Sequence, residues 1–158
     1  MIKEAYVGEH VELYQFNFIR LGGGVLNITN NASSNDIVWF DTVWNPNPVR
    51  IQGLRGSAGG SLPTPEINVS NLTGLFTQQL LLTRDLIGGI ITRYIIDSSS
   101  LGTSEEPIKN PDVFMINNTQ RNEREINLSC TTQLGTWDVE LPSKHMLIRD
   151  YPGLGRVY

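Results

Sequence analysis

One cysteine in 158 residues, Cys130, excludes an intramolecular disulfide and every metal site built from several thiolates. It sits in a strand-like run and reads as a buried, inert thiol. Histidine is almost as scarce. His10 and His145 lie in polar terminal segments, without ligand spacing and without an adjacent nucleophile, so each reads as a surface or packing residue. Charged residues make up only 18% of the chain and sum to −4, which argues against specific affinity for nucleic acid or anionic membranes. Long apolar runs are also missing. The most apolar stretch, residues 80–96, is interrupted by Thr83, Arg84 and Asp85 and again by Thr92 and Arg93, so no membrane span is expected. The opening residues MIKEAYVGEH carry no apolar core, so no signal peptide is expected. The N-x-Ser/Thr triplets at Asn27, Asn31, Asn68, Asn71, Asn117 and Asn127 then read as by-products of an Asn- and Thr-rich β protein rather than glycan acceptors.

Catalytic signatures are scarce as well. LGGGVLN lacks the G-x-G-x-x-G spacing and no helix follows it, so it is not a dinucleotide fingerprint. There is no P-loop and no G-x-S-x-G elbow. Glu105 and Glu106 are adjacent in a polar loop, and Glu123 and Glu125 lie in a hairpin. Glycoside chemistry needs two carboxyls opposed across a cleft, so these read as solvated charge. Trp39, Phe40 and Trp44 are either core or a platform on which a sugar stacks. No catalytic, cofactor or metal residue is assigned, and an enzyme is not expected.

What is present is β pattern. ELYQFNFI alternates, with Tyr14, Phe16 and Phe18 on one side. A turn and a short strand are expected in LGGGVLNITN and another strand in DIVWF. WNPNPVR carries Pro46 and Pro48, which cannot donate to a ladder, and reads as an edge or a loop. Residues 98–111 form a polar loop. Strands around residues 113–117 and 125–130 form a hairpin turning at NNTQ, with Ile126, Leu128 and Cys130 on one face. Asn71 or Thr73 can cap the one helix, about Leu72–Leu82, along which Leu72, Leu75, Phe76, Gln79 and Leu80 recur at helical spacing. Gly74 weakens it. The whole is mainly β: a small β-barrel or sandwich with one short helix and long loops, a single domain over residues 1–145 and an extended arm over 146–158.

The most distinctive stretch is GGSLPTPEINVSN. The glycines allow a change of direction, and Pro63 and Pro65 force Leu62 and Thr64 into extended geometry. Glu66 to Val69 then alternate as a strand. Leu62, Pro63, Pro65, Ile67 and Val69 form a stiff element, expected to shape the barrel or to pair with a neighbouring subunit.

These pieces resemble the minor tail protein L family of long-tailed phages. The likeness runs in order through LYQFNF…LGGG, VWF…VWNPNPVRIQGL, GGSLPTPEINVSN with LTGLF, DLIGGIITRY, PDVFMINN, REINLSCTTQL and ELPSK, covering about residues 10 to 145. The resemblance implies a structural tail-tip protein. It would sit in a ring, as a homotrimer, between the distal tail protein of the tube and the central hub or fibre protein, around the path of the tape measure protein and DNA. It implies a place in the virion after assembly in the host cytoplasm. Many members continue into a cysteine-rich region holding an iron–sulfur cluster. Cys130 lies upstream of that region and is the only thiol, so the chain corresponds to the N-terminal domain and no cluster carries over. The alternative is a carbohydrate-binding adsorption module that uses Trp39 and Trp44.

Overall fold

Alternating apolar residues in the described segments make nine strands and one helix. The computed structural model describes residues 10–30, 35–54 and 63–132. Leu62, His145 and the arm at 146–158 lie outside them. The strands are β1 (His10–Asn17), β2 (Val25–Thr29), β3 (Ile37–Trp39), β4 (Thr42–Pro46), β5 (Val49–Gln52), β6 (Glu66–Ser70), β7 (Ile90–Asp97), β8 (Asp112–Arg121) and β9 (Glu125–Thr132), and the helix is α1 (Leu75–Thr83). They form one sheet in the order β3-β4-β2-β1-β7-β8-β9-β6-β5. Every ladder is antiparallel except β2–β4, a short parallel contact at Ile28–Asn45 and Thr29–Pro46.

The sheet rolls around one core. Phe16, Ile91 and Phe114 are register partners across β1, β7 and β8. They share that core with Ile28 of β2, Val49 of β5, Ile67 of β6 and Leu128 of β9. Strands from nearly the whole sheet meet the same interior only if the sheet curls. No ladder joins β5 to β2, so the roll is open and the mainly β fold is not a closed barrel. Two asparagines bridge the seam instead. Asn30 Oδ1 accepts from the Val49 N–H at 3.2 Å. Buried Asn47 donates its backbone N–H to the Thr29 carbonyl at 3.0 Å and its side-chain amide to the Ser70 carbonyl at 2.9 Å.

The helix plugs one end of the roll. It starts at Leu75 rather than Leu72, because Gly74 stands before it at φ +71, a left-handed conformation that breaks the helical path. Phe76 meets Phe16 edge-on, with ring centroids 5.1 Å apart. Gln79 is buried and its Oε1 accepts from the Gly24 N–H at 2.8 Å. Leu81 and Leu82 of the same helix face outward.

The hairpin turns later than expected. NNTQ does not turn but stays in β8, and the bend falls at residues 122–124. A bulge between Ile116 and Asn118 takes up the extra residue, and pairing resumes as Asn118–Ser129 and Thr119–Leu128. The polar run reads as a turn because its side chains are exposed at the far end of the ladder. Pro46 and Pro48 behave as their missing N–H requires: Pro46 ends β4, Pro48 lies between strands, and β5 is the sheet edge.

Cys130 faces the core, and burial pushes its thiol up to about 12 from an ordinary 9.0. A raised pKa means the unfolded chain loses its proton first. The associated stability is complete below about pH 9 and is lost as pH climbs toward about 12. Tyr14, pushed up chiefly by burial and then by its hydrogen bond to Glu12, adds to the loss at the alkaline end. Urea unfolding at about pH 10.5 is expected to show about 1–2 kcal/mol less stability than at pH 8, because each tenfold difference in proton affinity between the folded and unfolded chain is worth about 1.4 kcal/mol. Cys130→Ala is expected to flatten that slope. An unchanged slope in the variant would refute the assignment to Cys130.

Candidate assembly surfaces

The β3–β4 hairpin lies across the outer side of β1 and β7. Alternation makes this possible: Ile37, Trp39 and Trp44 point inward while Val38 and Val43, directly paired, point out. The inward set packs on Val11 and Leu13 of β1 and Ile96 of β7 as a second, smaller core. β1 is therefore buried on both faces, where its sequence promised one. Trp39 and Trp44 have ring centroids 6.1 Å apart, and Tyr94 lies 5.2 and 6.0 Å from them. Burial raises the Tyr94 hydroxyl above its usual range. The Trp39 indole N–H donates to the Glu105 carbonyl at 3.1 Å, and that of Trp44 to the Trp39 carbonyl at 3.4 Å. At 4% and 2% exposure, these indoles offer little surface for a sugar to stack on. They form one wall of a cleft of about 750 Å³ between the hairpin and residues 106–111.

The loop after β7 is fastened to this hairpin. Gly102 N–H donates to the Val38 carbonyl at 2.8 Å, and Phe40 N–H to the Thr103 carbonyl at 3.3 Å. The free side of β3 is thus partly occupied. Glu105, expected as solvated charge, accepts from the Ser100 hydroxyl at 2.8 Å, and Glu106 is exposed.

A polar row closes the core at the end away from the helix. Tyr14, Arg93 and Asp112 are register partners one step along from Phe16, Ile91 and Phe114. Arg93 bonds to Glu12 and, at 3.2 Å, to Asp112, which Lys109 also reaches at 2.9 Å. Tyr14 donates to the second Glu12 oxygen at 2.5 Å. Burial opposes the Arg93 charge, but bonding to Glu12 outweighs it and the guanidinium is held protonated. Each charge in this network has an opposite partner, although the Arg93 Nε–H is buried without an acceptor, and the pairing suits a structural role. Among the described residues no cluster of His, Cys, Asp and Glu is arranged to hold a metal.

Of the stiff segment, Pro63 and Pro65 lead directly into β6, and the Pro65 carbonyl accepts from the Cys130 N–H at 2.8 Å. Ile67 and Val69 are fully buried in the main core. β6 is paired on both sides, by β5 and β9, so its own backbone offers no free edge. That edge belongs to β5. The Pro48 carbonyl takes the Ser70 N–H at 3.0 Å, while Val49 N–H points the other way to Asn30. Alternation therefore turns the N–H and C=O of Ile51 outward. The outward apolar residues Leu81, Leu82, Val38 and Val43 are not found by periodicity, which selects residues that share a buried face. The run LLLT is the signal that could have found two of them, since three consecutive leucines cannot lie on one side of a helix.

A family model described as phage minor tail protein L matches residues 19–147 of the chain. A comparison with curated proteins finds no match.

Proposed function

Because this chain belongs to the phage minor tail protein L family, we propose that it builds a ring at the tail tip, joining the distal end of the tube to the central hub or fibre protein. Membership itself makes the chain a structural component of a phage tail that contacts other tail proteins. The match over residues 19–147 supports the finer reading, because it takes in every described strand but β1, together with the helix and the stiff segment. Three copies of the chain surround the path of the tape measure protein and DNA in a siphophage-type tip. Assembly takes place in the host cytoplasm. The role is scaffolding without catalysis.

Two features support a conduit lining. The roll is cored on its inner face and covered by the hairpin on part of its outer face, so it is a stiff block. Its net charge of −4 disfavours retention of a phosphate backbone passing by. Of the segment Leu62, Pro63, Pro65, Ile67 and Val69, the described part, Pro63 to Val69, then acts by holding edge strand β5 in place for a neighbour. Its prolines lower the entropy lost on ordering.

Mass spectrometry of purified particles, with immunogold labelling against this chain, tests the reading. Label confined to the distal end of tails is expected. Absence of the chain from purified tails by mass spectrometry would sink it. In the same particles, Pro63→Ser with Pro65→Ser is expected to lower incorporation more than it lowers the melting temperature of the isolated protein. Normal incorporation with a strongly lowered melting temperature would reduce the segment to an internal strand with a rigid lead-in.

A further inference from the structure

Two surface elements of this protein are apolar on the side turned to solvent, and their surrounding charges are opposite. The first lies at the helix pole. The turn after β1, the end of α1 and the turn before β7 meet there: Gly23 abuts Thr83 and Gln79, and Gly88 abuts Leu21. Helix α1 buries a glutamine and exposes leucines, with Leu81 at 80%. Ile19 is 61% exposed, and Leu82 and Ile87, on the same three converging segments, are exposed as well. A helix that is apolar on both sides is expected to be covered on both. Arg20 and Arg84 stand exposed at the rim, and neither is in an ion pair with a described residue. Asp85, the exposed residue after Arg84, accepts from the Ile87 N–H with its carboxylate and leaves the pair of arginines in excess.

The second patch is the outer side of the β3–β4 hairpin. Val38 and Val43 form one outward pair, with Val43 at 50% exposure. Phe40 and Ile108 continue it along the lip of the 750 Å³ cleft. Its rim is acidic: Asp36, Asp41, Glu105 and Glu106 are all exposed. Lys109, the cation nearest this rim in sequence, is paired with Asp112.

The patches cannot cover one another within one molecule. The hairpin packs on Val11 and Leu13, while the helix pole follows the last residue of β1, Asn17. Four to six extended residues separate those levels, about 13–20 Å at about 3.3 Å per residue. We propose that the helix pole of one copy of this chain docks onto the hairpin and cleft of the next. Arg20 and Arg84 then face the acidic rim, and Leu81, Leu82 or Ile87 enters the cleft mouth. Opposite rim charge sets the direction of approach and the pairing of unlike surfaces. A contact between two different surfaces of the same chain is head-to-tail, and such contacts generate rings when the rotation closes. This deepens the ring reading above and rests on it for its setting in the tail.

Sedimentation equilibrium of the full chain tests the contact. One variant, Leu81→Glu with Leu82→Glu, disables the pole. A second, Phe40→Asn with Val43→Lys, disables the hairpin; Asn tolerates the positive φ of 50° at residue 40. All four positions are exposed, and circular dichroism checks that both variants stay folded. The wild-type chain is expected to associate with rising concentration, and each variant alone to associate at least about tenfold more weakly, a loss of about 1.4 kcal/mol. An equimolar mixture of the two variants is expected to form dimers and nothing larger, because one intact pole meets one intact hairpin. A wild-type chain that is monomeric to about 1 mM, where association is worth only about 4 kcal/mol, overturns the proposal. So does a mixture that stays monomeric, or a single variant that assembles like wild type. If the chain is monomeric in solution yet present in purified tails by mass spectrometry, the copy-to-copy contact fails and the tail reading stands.

Discussion

Trp44→Ala is expected to cost about 3–5 kcal/mol, and to release the β3–β4 hairpin before the rest of the fold. Trp44 is almost wholly buried and is wedged between Trp39 and Tyr94. It holds the hairpin through side chains, since β4 has only two register pairs with β2. Removing the indole leaves a cavity under strands too short to close over it. It also frees the Trp39 carbonyl, which accepts from Trp44. Hydrogen exchange should therefore accelerate first at Val38 to Trp44 and at Gly102 and Phe40, whose N–H groups bond between loop and hairpin. Amides of β8 and β9 should follow only the global change. A loss under about 1 kcal/mol in urea unfolding, or uniform acceleration across the sheet, contradicts this picture.

Gly89→Ala is expected to destabilise the main core by about 3 kcal/mol, at the upper end for overpacking. A Cβ there falls 2.7 Å from both Cδ1 and Cε1 of Phe18 and 3.0 Å from the Leu86 carbonyl oxygen. Neither side can yield cheaply. Phe18 is fully buried and stacks on Phe16 at 6.4 Å. The Gly89 backbone is tied by its N–H to the Leu86 carbonyl at 3.0 Å and by its carbonyl to the Ile116 N–H at 2.9 Å. Gly88 donates to the Ile116 carbonyl at 2.8 Å and fixes the turn from the other side. If the clash with the ring is the cause, Phe18→Leu should cost less in the Gly89→Ala background than alone. Strict additivity of the two changes would assign the loss to something else.

The parts of the fold that the sequence made legible are those with a clean period of two. The alternation EINVS gave β6, and Ile126, Leu128 and Cys130 gave the buried face of β9. Boundaries failed where backbone conformation outranked pattern. Gly74 shortened the helix, and the bulge at Asn117 carried a polar run through a strand. The second core was not legible, because Leu13 alternates with Tyr14 and a strand buried on both faces hides its alternation. Closure was not legible either: whether a roll of strands meets itself depends on register between β2 and β5, far apart in sheet order. For the candidate surfaces, the prolines marked a rigid lead-in to β6, while the outward apolar residues of the helix and hairpin had no periodic signal of their own. Leu81, Leu82, Val38 and Val43 look like core residues in sequence, and only the fold shows that they face out.

The seam between β2 and β5 has a mechanical meaning. In a closed barrel, strand number and stagger set the girth, and no part of the wall can yield without breaking a ladder. Here the wall is clasped by Asn30 and Asn47, through hydrogen bonds each worth about 1 kcal/mol. The molecule is built like a split collar. Tangential load on it concentrates at the clasp, the one line of the wall where no ladder has to break, and what resists opening there is the core that Ile28 and Val49 share.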